Sequence, residues 1–284
     1  MLDMKFEKMH AAGNDYIYVN LFEEKIDNPT ELSRRISNRN FGVGSDGLVL
    51  IGPSDMGDFF MHMFNADGSE GMMCGNAARC VGKYVYERGM TNKTEIDLET
   101  RSGIKHLSLK VNKNNNKVEL VRVNMGRALI TSENKGRSEL FQLSLNKMID
   151  YPVQLDEQKY HITFVSMGNP HAIIFMNNIN KLDISKIGPR IENLEHFPER
   201  TNVEFVEVVN SKQLNVRVWE RGSGETLACG SGACAVVVAG SITGRCRPKA
   251  TVKLKGGTLE VDWDKKDDVV YLTGDAHFVF KGEI

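Results

Sequence analysis

The sequence predicts an α/β fold, more closely α+β, built of two pseudo-symmetric halves. Each half reads as a mostly antiparallel sheet wrapped around a central helix, with an active site expected in the cleft between them. Three observations carry this: an internal repeat, a strand and glycine-rich loop ahead of a helix in each copy, and a cysteine at each helix start.

The repeat comes first, because self-similarity constrains everything else. Phe64-Asn-Ala-Asp-Gly-Ser-Glu-Gly-Met-Met-Cys74-Gly-Asn-Ala-Ala is similar to Trp219-Glu-Arg-Gly-Ser-Gly-Glu-Thr-Leu-Ala-Cys229-Gly-Ser-Gly-Ala, at an offset of 155. The offset lays Glu70 on Glu225, Gly75 on Gly230 and Ala78 on Ala233. It also lays Gly13-Asn14 on Gly168-Asn169, and the strand-like residues 46–51 on 201–206. Three matches in one register argue for two similar halves and against a solenoid of short repeats.

Phe59 to Phe64 and Val216 to Trp219 have strand character, and each leads into a glycine-rich loop. The helical run after Cys74 spans 77–88, with apolar Ala77, Val81, Tyr84 and Val85, and stops at Gly89. The run after Cys229 spans 232–243, is small and apolar all round, and stops at Gly244. A helix of that composition is buried on every side. Lys105 to Val111, Val118 to Val123 and Val269 to Leu272 add further strands. Asn112 to Lys117 reads as a polar hairpin tip and Ser132 to Ser138 as an exposed connection. The halves divide near Asn124 to Arg127, giving 1–126 and 127–272, and periodicity does not place Leu272 to Ile284.

The 284 residues carry 36 basic and 37 acidic side chains with 41% hydrophobic content. This balance gives no reason to expect a nucleic-acid or membrane partner. The acidic start Met1-Leu-Asp-Met-Lys-Phe-Glu is unlike a secretory signal, and the apolar stretch 233–242 is shorter than the roughly 20 residues of a spanning helix. A soluble cytoplasmic chain is expected. Five cysteines, an odd number, favour free thiols over a disulfide framework. The spacings Cys74-x5-Cys80 and Cys229-x4-Cys234 lack a close histidine, so no metal site is expected.

A cysteine at a helix start meets amides that have no intrahelical partner and a partial positive charge. A thiol there ionises more easily than the free value of roughly 8.5 implies. The amides of Gly75-Asn76 and Gly230-Ser231 can also hold a carboxylate. One such cysteine would read as a nucleophile or a small core residue. Two, related by symmetry, suit a narrower chemistry. A carbon held between them loses a proton to one sulfur and regains one from the other, which inverts it. That describes an amino-acid racemase or epimerase needing no cofactor, with thiols as general acid and base.

The motifs are those of a family. His10-Ala-Ala-Gly-Asn14-Asp-Tyr, Phe64-Asn65-Ala-Asp-Gly-Ser, Met73-Cys74-Gly-Asn76-Ala-Ala-Arg79-Cys80, Gly168-Asn169-Pro-His171, Arg200-Thr-Asn202-Val and Glu220-Arg221-Gly-x3-Thr226-x2-Cys229-Gly230-Ser231-Gly resemble diaminopimelate epimerase nearly end to end. The resemblance implies LL- to meso-diaminopimelate conversion in lysine and peptidoglycan-precursor biosynthesis. It also implies a homodimer, and a C-terminal strand, 273–284, returning to the first half. By motif, Cys74 is the proton donor and Cys229 the acceptor in one direction, while Gly75, Asn76, Gly230 and Ser231 bind the reacting carboxylate. Asn14, Asn65, Asn169, Asn202, Glu220 and Arg221 line the site and hold the far end of the substrate, and His171 and Glu220 modulate thiol ionisation. This chain departs at Gly47, where some relatives carry glutamine and the repeat places Asn202.

Plainer readings stand beside these. Cys80, Cys234 and Cys246 read as structural, Glu70 and Glu225 as loop-ordering groups, and Met72-Met73 as packing. Asn14 and Asn169 suit a turn after glycine, Arg221 a solvated charge or a carboxylate fork, and His171 a core histidine or a tuner. Phe41-Gly-Val-Gly-Ser-Asp-Gly47 lacks the spacing of a nucleotide loop. The rival functions are a proline racemase, which also pairs cysteines, and a non-enzymatic thiol or metal-binding protein. Arg221 favours a substrate with a second charged end.

Overall fold

The computed structural model describes residues 4–130 and 148–284, so the 132–138 connection lies outside it. The chain is mixed α+β and divides into two compact units, Met1–Asn124 with Thr273–Ile284, and Met125–Leu272.

In the first unit, β1 (Lys5–Ala11) and β2 (Asn14–Asn20) form a hairpin across Ala12-Gly13. Both turn residues have positive φ, 52° and 82°, the conformation that glycine adopts without strain. Helix α1 (Pro29–Ser37) leads to β3 (Gly47–Gly52), which pairs parallel with β2 and antiparallel with β4 (Phe59–Asn65). The two-residue β5 (Glu70–Gly71) pairs with β4, and α2 (Gly75–Glu87) follows. Strands β6 (Glu95–Thr100), β7 (Gly103–Asn112) and β8 (Lys117–Gly126) form a meander, with β6 parallel to β4.

The second unit repeats the plan. Strands β9 (Tyr151–Leu155), β10 (Gln158–Ser166) and β11 (Pro170–Phe175) are antiparallel neighbours. After α3 (Ile184–Glu192), β12 (Asn202–Asn210) pairs parallel with β11 and antiparallel with β13 (Gln213–Glu220). The short β14 (Gly224–Thr226) precedes α4 (Gly230–Ile242), followed by β15 (Lys249–Lys253), β16 (Thr258–Asp264) and β17 (Val269–Gly274). The last strand, β18 (His277–Glu283), runs antiparallel to β1, with Lys5 opposite Glu283.

The offset of 155 reappears rung by rung. Tyr16 opposite Gly47 recurs as His171 opposite Asn202, and Leu48 opposite Phe64 as Val203 opposite Trp219. Met63 opposite Gly71 recurs as Val218 opposite Thr226. The two central helices occupy equivalent residues and pack against strands of their own units. α4 is buried from Ala233 through Gly240, as its apolar surface requires.

Two details differ from the sequence reading. Each central helix begins two residues earlier, because the cysteine caps it and the glycine that follows has no apolar period to read. Met72 is exposed on the loop before Cys74 instead of packed.

Arg79 is completely buried near the start of α2. It donates to Asn76 Oδ1 at 2.9 Å, to Gly75 O at 3.3 Å and to Asp275 O at 3.2 Å, joining the helix start to the C-terminal segment. Hydrogen bonds from a charged donor are each worth about 1.5–3 kcal/mol. Arg79→Leu is expected to destabilise the first unit by about 3 kcal/mol. A urea-unfolding midpoint unchanged from wild type would contradict this.

Candidate active site

Cys74 and Cys229 are the N-caps of α2 and α4, both in extended backbone with φ −136° and −118°. The Cys229 sulfur caps its helix, whereas the Cys74 side chain makes no capping hydrogen bond. Cys229 Sγ accepts the Gly232 N–H at 3.4 Å and lies 3.5 Å from Ser231 Oγ. Cys74 Sγ donates to Asn14 Oδ1 at 3.5 Å.

Around Cys74 the first unit gathers Asn14, Gly75 and Asn76. Asn14 donates through Nδ2 to Asp46 Oδ2 at 2.7 Å, which turns its Oδ1 toward Cys74 and Asn76 Nδ2. Asp46 is in turn held by Arg39, which also reaches Asp15. Burial pulls the Asp15 carboxyl up, but Arg39 and Lys8 outweigh it and hold it below the usual carboxylate range. Asn65 ends β4 opposite Gly47 and donates to Ser69 Oγ at 2.9 Å. Gly47 itself has no room for a side chain: a Cβ there would lie 2.0 Å from Phe64 O and 2.8 Å from the Tyr16 ring. A glutamine side chain therefore does not fit at this position of this chain.

The second unit gathers His171, Glu220, Gly230 and Ser231 near Cys229, with Asn169 held by His171 and Asn202 by Pro170 and the Arg221 backbone. Asn202 is buried, donates to Pro170 O at 3.0 Å and accepts the Arg221 N–H at 2.9 Å. The exposed Arg221 guanidinium reaches Glu199 O at 2.9 Å, and Glu220 accepts the Thr226 hydroxyl. His171 is fully buried, its Nδ1 2.6 Å from Glu204 Oε1 and its Nε2 3.1 Å from Asn169 Oδ1. Burial, then the Glu220 and Glu204 carboxylates, push the Cys229 thiol well up, against the opposing pull of Ser231 and Gly232, which overturns at Cys229 the easier ionisation expected of a thiol at a helix start.

Glu204 is the residue that sequence reasoning missed. It sits fully buried on β12, where a carboxylate is unexpected. The signal was present, since the offset lays it on Val49. The ligating atoms of His171, Glu204 and Cys229 lie within 4.8 Å of one another, so imidazole, carboxylate and thiol form one buried cluster. The 2.6 Å His171–Glu204 contact already joins two of the three.

The remaining cysteines are buried thiols outside any disulfide. Burial pushes Cys80 up to about 12 and Cys246 up to about 11. Glu225 is engaged by Arg217 and Lys255, and Glu70 by His62 and Arg101, so both brace their loops.

The sequence model described as diaminopimelate epimerase matches residues 6–131 and 163–279. The chain belongs to the diaminopimelate epimerase family. It is 52% identical over 284 residues to the diaminopimelate epimerase of Acetivibrio thermocellus, covering 99% of this chain and 98% of that one. It is 52% identical over 283 residues to the enzyme of that name from Methanococcus maripaludis, covering 99% of each. Among solved structures, a phenazine biosynthesis protein of the PhzF family from Bacillus anthracis shares the fold. Its TM-score is 0.73 at 16% identity, over 100% of this chain and 99% of that one. A probable proline racemase from Agrobacterium radiobacter follows at TM-score 0.68 and 14% identity, over 99% and 92%. Within this family the chain is an isomerase, an amino-acid epimerase. No helix of the described residues is long and apolar enough to cross a membrane.

Because the obstruction at Gly47 is backbone, Gly47→Ala is expected to cost about 1–3 kcal/mol of stability. An unchanged thermal midpoint would show that the strands part freely there.

Proposed function

We propose that this chain interconverts LL- and meso-diaminopimelate by moving the α-proton between two cysteines, without a cofactor. The observation that carries the reading is the equivalent placement of Cys74 and Cys229 as N-caps of the two central helices, in a chain of this family. A thiol is a strong enough acid, and its thiolate a strong enough base, to exchange one proton in each direction near neutral pH. Cys74 delivers the proton and Cys229 accepts it in one direction, and the roles reverse in the other. Amides of Gly75-Asn76 and Gly230-Ser231 hold the reacting carboxylate, where helix-terminal charge also stabilises the carbanion-like transition state.

Asn14, Asn65, Asn169 and Asn202 supply neutral hydrogen-bonding groups around the substrate. Glu220 and Arg221 match the ammonium and carboxylate of its far end. His171 and Glu220 modulate thiol ionisation. The product feeds lysine and peptidoglycan-precursor biosynthesis, and the same reading carries a cytoplasmic homodimer, which light scattering of the purified chain checks.

Arg221→Ala is expected to lower kcat/KM for diaminopimelate by a factor corresponding to about 1.5–3 kcal/mol. An unchanged value would make Arg221 a solvated charge only.

Cys74→Ser and Cys229→Ser are each expected to abolish epimerisation, since a hydroxyl is a far weaker acid than a thiol. In deuterated water, deuterium should enter the inverted product ahead of the recovered substrate, because different sulfurs receive and donate. Wild-type turnover in both serine variants, or equal early labelling of substrate and product, would overturn the mechanism.

A further inference from the structure

The two thiols stand at equivalent positions, but their surroundings are not equivalent. Tyr16, Val49 and Ala77 in the first unit correspond at the same offset to His171, Glu204 and Gly232 in the second. These three replacements belong together. A Cβ on Gly232 would lie 2.5 Å from Glu204 Oε1 and 3.3 Å from Cys229 Cβ. The glycine therefore opens the space that the carboxylate fills, against the first turn of α4 and beside the sulfur. His171 covers Glu204 Oε1 at 2.6 Å, whereas Glu204 Oε2 is buried with no hydrogen-bond partner among the described residues. A carboxylate oxygen left without a partner in a buried site acts on its neighbours with little screening by water.

We propose that Glu204 is a positioning residue that breaks the equivalence of the two thiols, keeping the proton on Cys229 in the substrate-free enzyme. The inference rests on the two-thiol reading above. The groups facing Cys229 are Glu204 on β12, His171 on β11, Glu220 on β13, and the Ser231 hydroxyl and Gly232 N–H of α4 itself. Ser231 and Gly232 favour the thiolate, while burial and both carboxylates oppose it. A weak N–H contact at 3.4 Å to sulfur does not offset a carboxylate oxygen within 4.8 Å in a water-excluded site. The direction of the Cys229 shift agrees. Cys74 instead has the buried guanidinium of Arg79 on its own helix, with Asn14 Oδ1, Cys80 and Tyr18 nearby. Val49, where the carboxylate would sit, is apolar.

The test is site-resolved alkylation of the full chain with iodoacetamide across a pH series, read by peptide mass. Removing the carboxylate charge with Glu204→Gln should lower the pH at which Cys229 becomes half-reactive by about one unit or more, a rate gain of about tenfold near neutrality. The half-reactive pH of Cys74 should stay where it is. Glu204→Asp, which keeps the charge, should retain the high value at Cys229. Gly232→Ala, which displaces the carboxylate without removing it, should shift Cys229 in the same direction as Glu204→Gln and answers the question if that variant does not fold. Cys234, fully buried on the same helix, reports general loosening. An unmoved Cys229 midpoint in Glu204→Gln and Gly232→Ala, or equal acceleration of Cys229 and Cys234 at every pH, overturns the proposal. Alkylation needs no turnover, so this failure is distinct from that of the serine variants.

Discussion

A helix cannot satisfy its own first amides, and both central helices of this chain place a cysteine at that position, with the Cys229 sulfur accepting one of them and the Cys74 sulfur accepting none. A sulfur at the N-cap is a poor acceptor beside an Asn, Asp or Ser oxygen. At 3.4 Å from Gly232 N, Cys229 leaves most of the helix-terminal charge uncompensated. That residual charge attracts a carboxylate to the same amides, while at Cys229 its pull toward the thiolate is outweighed by burial and by the Glu220 and Glu204 carboxylates. The surrounding sequence follows from the arrangement. Glycine after each sulfur lets a ligand reach backbone, and small side chains on α4 let the helix run through the sheet's interior. The short strands β5 and β14 fix the loops that deliver each cysteine.

Much of this is legible in the sequence because a repeat of fixed offset is a geometric statement. Matching Gly13-Asn14 to Gly168-Asn169, and Cys74 to Cys229, amounts to predicting equivalent ladder rungs, and the rungs at Tyr16–Gly47 and His171–Asn202 are equivalent. Periodicity starts each helix two residues late because glycine carries no apolar period and the cap is a cysteine instead of an Asn, Asp or Ser. Met72 departs from the packing role read for it because hydrophobicity alone does not distinguish a core methionine from one on an exposed loop. The pairing of β18 with β1 joins the two ends of the chain, which no local period encodes. Glu204 is hidden for a different reason. Inside an apolar strand run, an isolated acid reads as the solvent-facing residue of an alternating strand, and its counterpart Val49 is the one clue in the sequence that it points inward.

Duplication supplies two thiols with like surroundings, and like surroundings alone would not make a good two-base catalyst. Turnover requires one sulfur charged and the other protonated when substrate arrives, and identical sites would spread the enzyme over states with both or neither ionised. The structure differs between its halves where that matters. Arg79 corresponds to Cys234, Glu204 to Val49 and Glu220 to Asn65 at the same offset, so a buried cation lies near one thiol and two carboxylates near the other. Such charges cost stability when buried, and Arg79 offsets its cost with three hydrogen bonds to acceptors in its own unit. Glu204 has less compensation, one contact to His171 and a bare second oxygen. A buried group left partly unsatisfied, at one position of a repeat and not at its partner, marks where folding stability has yielded to the requirement that the two sulfurs differ.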